Sequence, residues 1–272
     1  MVNGYKPATL AEALEIRAAH AVTPYGGGTD LMLHADKNAC YLFLDDIPEL
    51  KQIRRDETHV RIGAACTFTQ VLNHPLVPQF MQAAVRQIAA PAIRNLGTMG
   101  GNIGNGSAKA DSVLIEFVTD AQLRLCSVRG ERLVAIRDFY LGRKRLDLAA
   151  DELIAEILLP AAGLDNWYYQ KVGGRQALAI SRVSFAGLLD VTEGRISRCA
   201  CAFGAVADTV LRFPELEAML VGLTLAEARA QKPAFLAAYD KAIVPTPGRV
   251  SAAFRKTACL NLLGDFLTQF QI

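Results

Sequence analysis

No run of about 18 consecutive apolar residues occurs in this 272-residue chain, so no membrane-spanning helix is expected. The opening Met1-Val2-Asn3-Gly4-Tyr5-Lys6-Pro7 lacks the basic-then-apolar order of a secretory signal, which makes a cytoplasmic location the expectation. Neither sign of charge dominates: 29 basic against 27 acidic residues leave a net charge of +2. That balance excludes a broad footprint for nucleic acid or an acidic membrane. Arg129, Arg132, Arg137, Arg143, Lys144 and Arg145 form a local basic excess, which fits solvated loops or a partner-facing patch. Charged residues are 21% against 51% hydrophobic ones, a globular rather than disordered composition.

Metal-ligand patterns are missing too. None of Cys40, Cys66, Cys126, Cys199, Cys201 and Cys259 forms a Cys-x-x-Cys pair. His20, His34, His59 and His74 show no ligand spacing. No metal or iron–sulfur cluster is expected in this chain, and the cysteines fit small core residues in a reducing compartment. Cys199 and Cys201 are expected on opposite faces of any strand that holds them. No Ser/His/Asp or Cys/His constellation is readable, and no acid/base pair for substrate chemistry, so no catalytic residue is assigned.

Two familiar nucleotide fingerprints also fail. Gly26 and Gly28 would need glycine at position 31, where Leu31 stands; Gly104 and Gly106 would need it at 109, where Lys109 stands. No Gly-Lys-Ser/Thr tripeptide occurs. The Rossmann and P-loop readings are therefore excluded.

What is present is a polar glycine segment, Thr98-Met99-Gly100-Gly101-Asn102-Ile103-Gly104-Asn105-Gly106-Ser107, followed by Asp111. A second lies upstream at Gly26-Gly27-Gly28-Thr29-Asp30-Leu31. Glycine exposes backbone N–H groups, and clusters of them form nests that bind anions. Asn, Thr and Ser add neutral hydrogen-bonding groups, and Asp can accept from a sugar hydroxyl. Two such loops so far apart suit a long ligand held at both, as a dinucleotide would be. Tight turns at strand ends are the plainer alternative.

Thr9-Leu10-Ala11-Glu12 and Thr224-Leu225-Ala226-Glu227 read as capping boxes opening helices. Strands are expected at 21–25, 41–44, 59–62, 123–128, 133–136 and 153–159. Helices are expected at 78–89 and 110–120, the latter with its N-terminus near a bound diphosphate. Pro160-Ala161-Ala162-Gly163 reads as a boundary. Strands follow at 167–172, 182–191 and 195–207, with a hairpin turn at Thr192-Glu193-Gly194, and helices close the chain, one over 250–269. The fold class is α+β.

The first glycine segment, and Ile93-Arg94-Asn95-Leu96-Gly97-Thr98-Met99-Gly100-Gly101-Asn102-Ile103, resemble the two FAD loops of the molybdenum hydroxylase flavoprotein subunits. Glu152-Leu153-Ile154 through Pro160 resembles that family's strand beside the flavin. Lys171 and Arg175, with Ala179-Ile180 and Val183, resemble its Lys/Arg stretch, and Phe203-Gly204-Ala205-Val206-Ala207 with Arg212 its C-terminal signature. Asn105-Gly106 and Ala110-Asp111-Ser112 are most similar to bacterial xanthine dehydrogenase flavoprotein subunits. Ser107-Ala108 and Leu114 depart from the pattern, since many relatives carry proline at 108 and 114. Losing those prolines alters turn rigidity and not donor chemistry.

The resemblance implies a two-part FAD-binding domain over 1–162, divided near 56, and a smaller C-terminal α+β domain over 163–272. It implies a role as electron-transfer subunit, with a large molybdopterin subunit, a small [2Fe–2S] subunit and NAD or another acceptor as partners. The N–H groups of Gly27, Gly28, Thr29 and Asp30, after Gly26, would wrap the FAD diphosphate, and Leu31 would pack on the isoalloxazine. Thr98 and Asn102 would bond phosphate or ribityl, Gly100 and Gly101 would permit close approach, and Ser107 would add a hydroxyl. Asp111 would accept from the adenosine ribose; Ile88 and Ile154 would lie near adenine and flavin. Lys171 would stand beside the isoalloxazine and raise its potential, with little effect on stability. Plainer roles stay open: Asp30 and Asp111 as caps, Leu31, Ile88 and Ile154 as core, Lys171 as a surface lysine. A stand-alone flavin oxidoreductase and a non-catalytic nucleotide-binding module also stay open.

Overall fold

The computed structural model describes residues 3–175 and 179–272. Thr9 starts the first helix, Leu10–Ala19, because its hydroxyl accepts the Glu12 N–H at 3.2 Å. The Glu12 carboxylate reaches back to the Ala8 N–H at 2.8 Å, so the expected box closes one residue early. At Thr224 both arms of the box form, and helix Leu225–Ala242 follows. Helix Leu10–Ala19 covers a parallel three-stranded sheet ordered Asn3–Tyr5, Cys40–Phe43, Thr23–Tyr25. Ala13, Leu14 and Leu42 share a small core there with Leu153 and Ala155 of the next sheet.

That next sheet has five antiparallel strands in the order Ile53–Arg55, His59–Gly63, Leu153–Pro160, Gln122–Ser127, Gly130–Ala135. Its central strand is buried from Leu153 to Leu159. Glu156 interrupts the apolar run, and Arg54 and Arg124 each reach its carboxylate at 2.7 Å. Burial works against that carboxylate, yet the two guanidiniums outweigh it and hold its pKa below the usual range.

The last sheet is antiparallel, ordered Trp167–Val172, Val183–Thr192, Arg195–Gly204, Leu211–Arg212. Glu193 (φ 51°) and Gly194 (φ 75°) make the expected two-residue hairpin turn. Helices Leu225–Ala242 and Ala252–Gln269 pack on one face through Phe203, Tyr239, Phe185 and Phe266. On the other face Ala186, Leu188, Ala200 and Ala202 join the main core with helices Gln79–Arg86 and Asp111–Val118. Cys199 and Cys201 lie in the same cluster, not on opposite faces, because side chains two apart on a strand share a side.

The second glycine segment is a departure: Met99–Gly104 is a short helix and not a loop. Thr98 caps it, accepting the Gly101 N–H at 3.1 Å, and tertiary carbonyls hold its first turn despite the glycines. A capping box at Thr67–Gln70 opens a further unexpected helix, Phe68–Asn73.

Every residue of helix Asp111–Val118 is buried. Glu116 is fully enclosed, neither carboxylate oxygen has a partner, and burial pushes its pKa up to about 8. The folded state therefore holds the proton that the unfolded chain, with a value near 4.5, releases. Stability falls as pH rises between those two values, by about 1.4 kcal/mol per pH unit. Glu116→Met, which keeps most of the volume, should raise Tm more at pH 8 than at pH 5. Equal gains at both pH values would clear the carboxyl of this role.

Candidate functional site: a glycine-lined cleft

The two glycine segments touch backbone to backbone. A Cβ at Gly27 would lie 1.7 Å from the Leu96 carbonyl oxygen, and one at Gly26 would lie 2.5 Å from Thr98 Oγ1. Gly28 takes φ +67°, where any other side chain would also strike Tyr25. A Cβ at Gly100 would meet that of Ala64 at 2.6 Å. These glycines serve the protein's own packing first. Gly104 differs, since its nearest neighbour would be Ile154 Cδ1 at 3.8 Å, and a Cβ at Gly101 would meet only Thr98 Oγ1, at 2.8 Å. A side chain at Gly104 would enter open space; one at Gly101 would do so only by pressing on the hydroxyl that caps its helix.

That space is a cleft of about 460 Å³, within the range of small-molecule sites. Gly26, Gly27, Gly28, Thr29, Asp30 and Leu31 form one wall. Thr98, Gly100, Gly101 and Asn102 form another, and Ile154 stands at the edge of the central strand. Among the described residues, the N–H groups of Gly27, Gly28, Thr29 and Asp30 find no partner in the protein. Unpaired donors along a concave wall suit an anion. The second segment contributes otherwise, because its own N–H groups are taken. Met99 donates to Cys66 O at 3.0 Å, Gly100 to Ala64 O at 2.8 Å, and Gly101 to the Thr98 hydroxyl. It offers room, the Thr98 hydroxyl proton and the Asn102 amide; Asn102 Oδ1 already accepts from Ser112 at 2.8 Å.

Asp30 precedes the 3₁₀ turn Leu31–His34 without a side-chain capping bond. Arg17, His34 and Gly104 also line the cleft and were not anticipated, and Glu152 lines it from the stretch likened to the strand beside the flavin. Gly104 stood within the motif; nothing in the pattern of helix Leu10–Ala19 singles out Arg17. The Arg17 Nη1 donates to Val22 O, its Nε has no partner, and burial pulls its pKa down. Glu152 is held below the usual carboxylate range by Arg132, which reaches it at 2.7 Å.

Ile88, Ser107, Asp111 and Lys171 do not line this cleft. Lys171 Nζ lies 2.7 Å from Asp111 Oδ2 and 2.9 Å from Gln87 O, next to Ile88. Ser181 Oγ donates to Asp111 Oδ1 at 2.8 Å. Asp111 and Lys171 thus meet directly, although the resemblance assigns them to the adenosine ribose and the isoalloxazine of one cofactor. They are not surface groups: the Lys171 and Asp111 side chains are 7% and 5% exposed. Asp111 is not a cap either, since Ala110 holds that position. No residue of the helix it opens lines the cleft, but Ser112 in its first turn bonds the Asn102 side chain of one wall. Burial pushes the Asp111 carboxyl up, against Lys171 and Ser181, which favour its ionised form.

Residues 1–162 match the family described as the FAD binding domain in molybdopterin dehydrogenase. Residues 167–270 match the CO dehydrogenase flavoprotein C-terminal domain. This chain belongs to the FAD-binding subunits of the molybdenum hydroxylases. It is 34% identical to the nicotinate dehydrogenase FAD-subunit of Eubacterium barkeri, over 81% of this chain and 80% of that one. It is 33% identical to a putative xanthine dehydrogenase FAD-binding subunit of Escherichia coli, over 78% and 77%. In structure it is similar to a carbon monoxide dehydrogenase chain of Hydrogenophaga pseudoflava, with a TM-score of 0.90, 25% identity and coverage of 98% and 96%. The cofactor is FAD, and the chain is an oxidoreductase subunit. The unpaired donors, the open faces of Gly101 and Gly104 and the neutral side chains between them fit FAD. No helix among the described residues is long and apolar enough to cross a membrane.

The buried ion pair argues against the expectation that removing Lys171 leaves stability alone. Lys171→Met strands a buried carboxylate and should destabilise the fold by about 3–5 kcal/mol in urea titration. Adding Asp111→Asn should recover much of the loss. A single-variant loss below about 1 kcal/mol would mean that the pair behaves as an exposed one.

Proposed function

We propose that this subunit relays electrons and does not itself oxidise an organic substrate. In this reading substrate is oxidised at the molybdopterin of a large subunit, and electrons cross the [2Fe–2S] clusters of a small subunit to reach this chain. They leave to NAD or another acceptor. When bound, FAD supplies redox chemistry that no side chain here provides. The chain's own part is to bind and orient. The free N–H groups of Gly27, Gly28, Thr29 and Asp30 would hold the diphosphate, and Gly101 and Gly104 would leave its space open. The Thr98 hydroxyl and Asn102 amide would orient the chain of the cofactor, with Ile154 against one end. Ser112, bonded to Asn102 and following Asp111, connects this cleft to the Asp111–Lys171 pair and to Gln87, which precedes Ile88. An extended dinucleotide reaching from one to the other would bring all of these residues into use.

The observation that carries the reading is the row of unpaired donors facing two glycines whose missing side chains leave room. Gly101→Val should abolish FAD binding, read as flavin absorbance per chain, with some loss of Tm because its Cβ presses on the Thr98 hydroxyl, whereas Gly104→Val should abolish binding with Tm kept. A fully loaded Gly101→Val protein would refute the cleft assignment. Acid precipitation should release the flavin, since no side chain is assigned as an attachment point. The isolated FAD-loaded chain should not turn over xanthine, hypoxanthine or nicotinate; steady turnover would make it a stand-alone enzyme instead.

A further inference from the structure

Segments that carry five cations meet where residues 107–110 leave the glycine helix. Lys109 stands two residues before Asp111, and Arg182 follows Ser181, which donates to Asp111. The Ala108 carbonyl accepts the Ala205 N–H at 2.7 Å, and the neighbouring Val206 carbonyl accepts the Thr246 N–H at 2.9 Å. Arg255 holds Thr246 through its carbonyl, and Arg249 lies on the loop between them. Arg143 precedes Lys144, whose Cα a Cβ at Gly106 would meet at 3.1 Å. Around Lys109, burial and then the charges of Arg255, Arg249, Arg182 and Arg143 all act to drive the proton off. None of the five forms an ion pair with a carboxylate among the described residues, unlike Arg129, Arg132 and Arg137 of the neighbouring basic run. Arg255 is 6% exposed, and its Nε has no partner.

Unpaired like charges held together repel one another, and a multiply charged anion removes that repulsion. Guanidinium groups match phosphate oxygens in shape and in donor number. The cluster stands apart from the glycine cleft, none of whose lining residues belongs to it. It adjoins the Asp111–Lys171 pair, where one end of the bound cofactor would lie. We propose that Lys109, Arg143, Arg182, Arg249 and Arg255 form a second anion site, which takes the diphosphate of a dinucleotide electron acceptor. The identity of the ligand as an acceptor rests on the relay reading; the presence of the site does not.

The probe is inorganic pyrophosphate, titrated calorimetrically into the FAD-loaded chain. Lys109 and Arg249 are exposed and outside the core, so Lys109→Gln/Arg249→Gln should keep Tm and FAD content. Pyrophosphate affinity should drop about tenfold or more in that variant, and should fall with added salt in the wild type. The Gly101→Val chain, lacking FAD, should still bind pyrophosphate through the cluster. No binding by the wild type, or equal affinity in the double variant, overturns the proposal. So does binding that Gly101→Val removes and Lys109→Gln/Arg249→Gln leaves alone, because the probe would then report the glycine cleft. A wild-type chain that takes no FAD yet binds pyrophosphate in a Lys109- and Arg249-dependent way would refute the cofactor reading and leave this site standing.

Discussion

The contact between Gly27 and the Leu96 carbonyl is the constraint on which the site depends. It lets the first loop lie flat on the segment that leads into the glycine helix. With that approach made, the N–H groups of Gly27 to Asp30 line one wall while Gly101 and Gly104 lie across the same opening. A methyl group at position 27 would push the walls apart, leaving the donors without their opposite face. Some of the glycines thus build the cleft, and others keep it empty.

Charge is arranged on a different plan in each part of the molecule. Along the cleft's glycine walls oriented backbone dipoles face the opening, while Arg17 and Glu152 line it from other elements. In the five-stranded sheet Glu156 is enclosed by arginines, so that its burial is compensated. In helix Asp111–Val118 the two buried acids fare differently. Asp111 meets Lys171 and Ser181, whereas Glu116, just over one turn along, meets nothing that can donate to it.

Much of this was legible in the sequence. The strand Trp167–Val172, the hairpin at Thr192–Gly194 and the helix over most of 250–269 follow from alternation, turn residues and an apolar stripe. The glycine segments were legible as a pair because each departs from any ordinary turn. What the sequence did not disclose depends on distance across the chain. The helix Met99–Gly104 carries glycines that argue against helix, and only the carbonyls of Ala64 and Cys66 decide the matter. Lys171 and Asp111 are 60 residues apart, so their pairing has no local signal. Arg17 enters the cleft from a helix whose pattern is unremarkable.

Helix Asp111–Val118 has one further consequence. It is encoded in the first family segment, yet it packs under the sheet of the second, beside Ala186, Leu188, Ala200 and Ala202. Sheet and helix must fit each other closely, since a mismatch leaves either a void or an overlap. The two segments therefore cannot be exchanged as cassettes between relatives without re-matching that seam. Sequence drift in one half is answerable to the other, and a chimera joined at the linker near residue 163 inherits two surfaces shaped for absent neighbours.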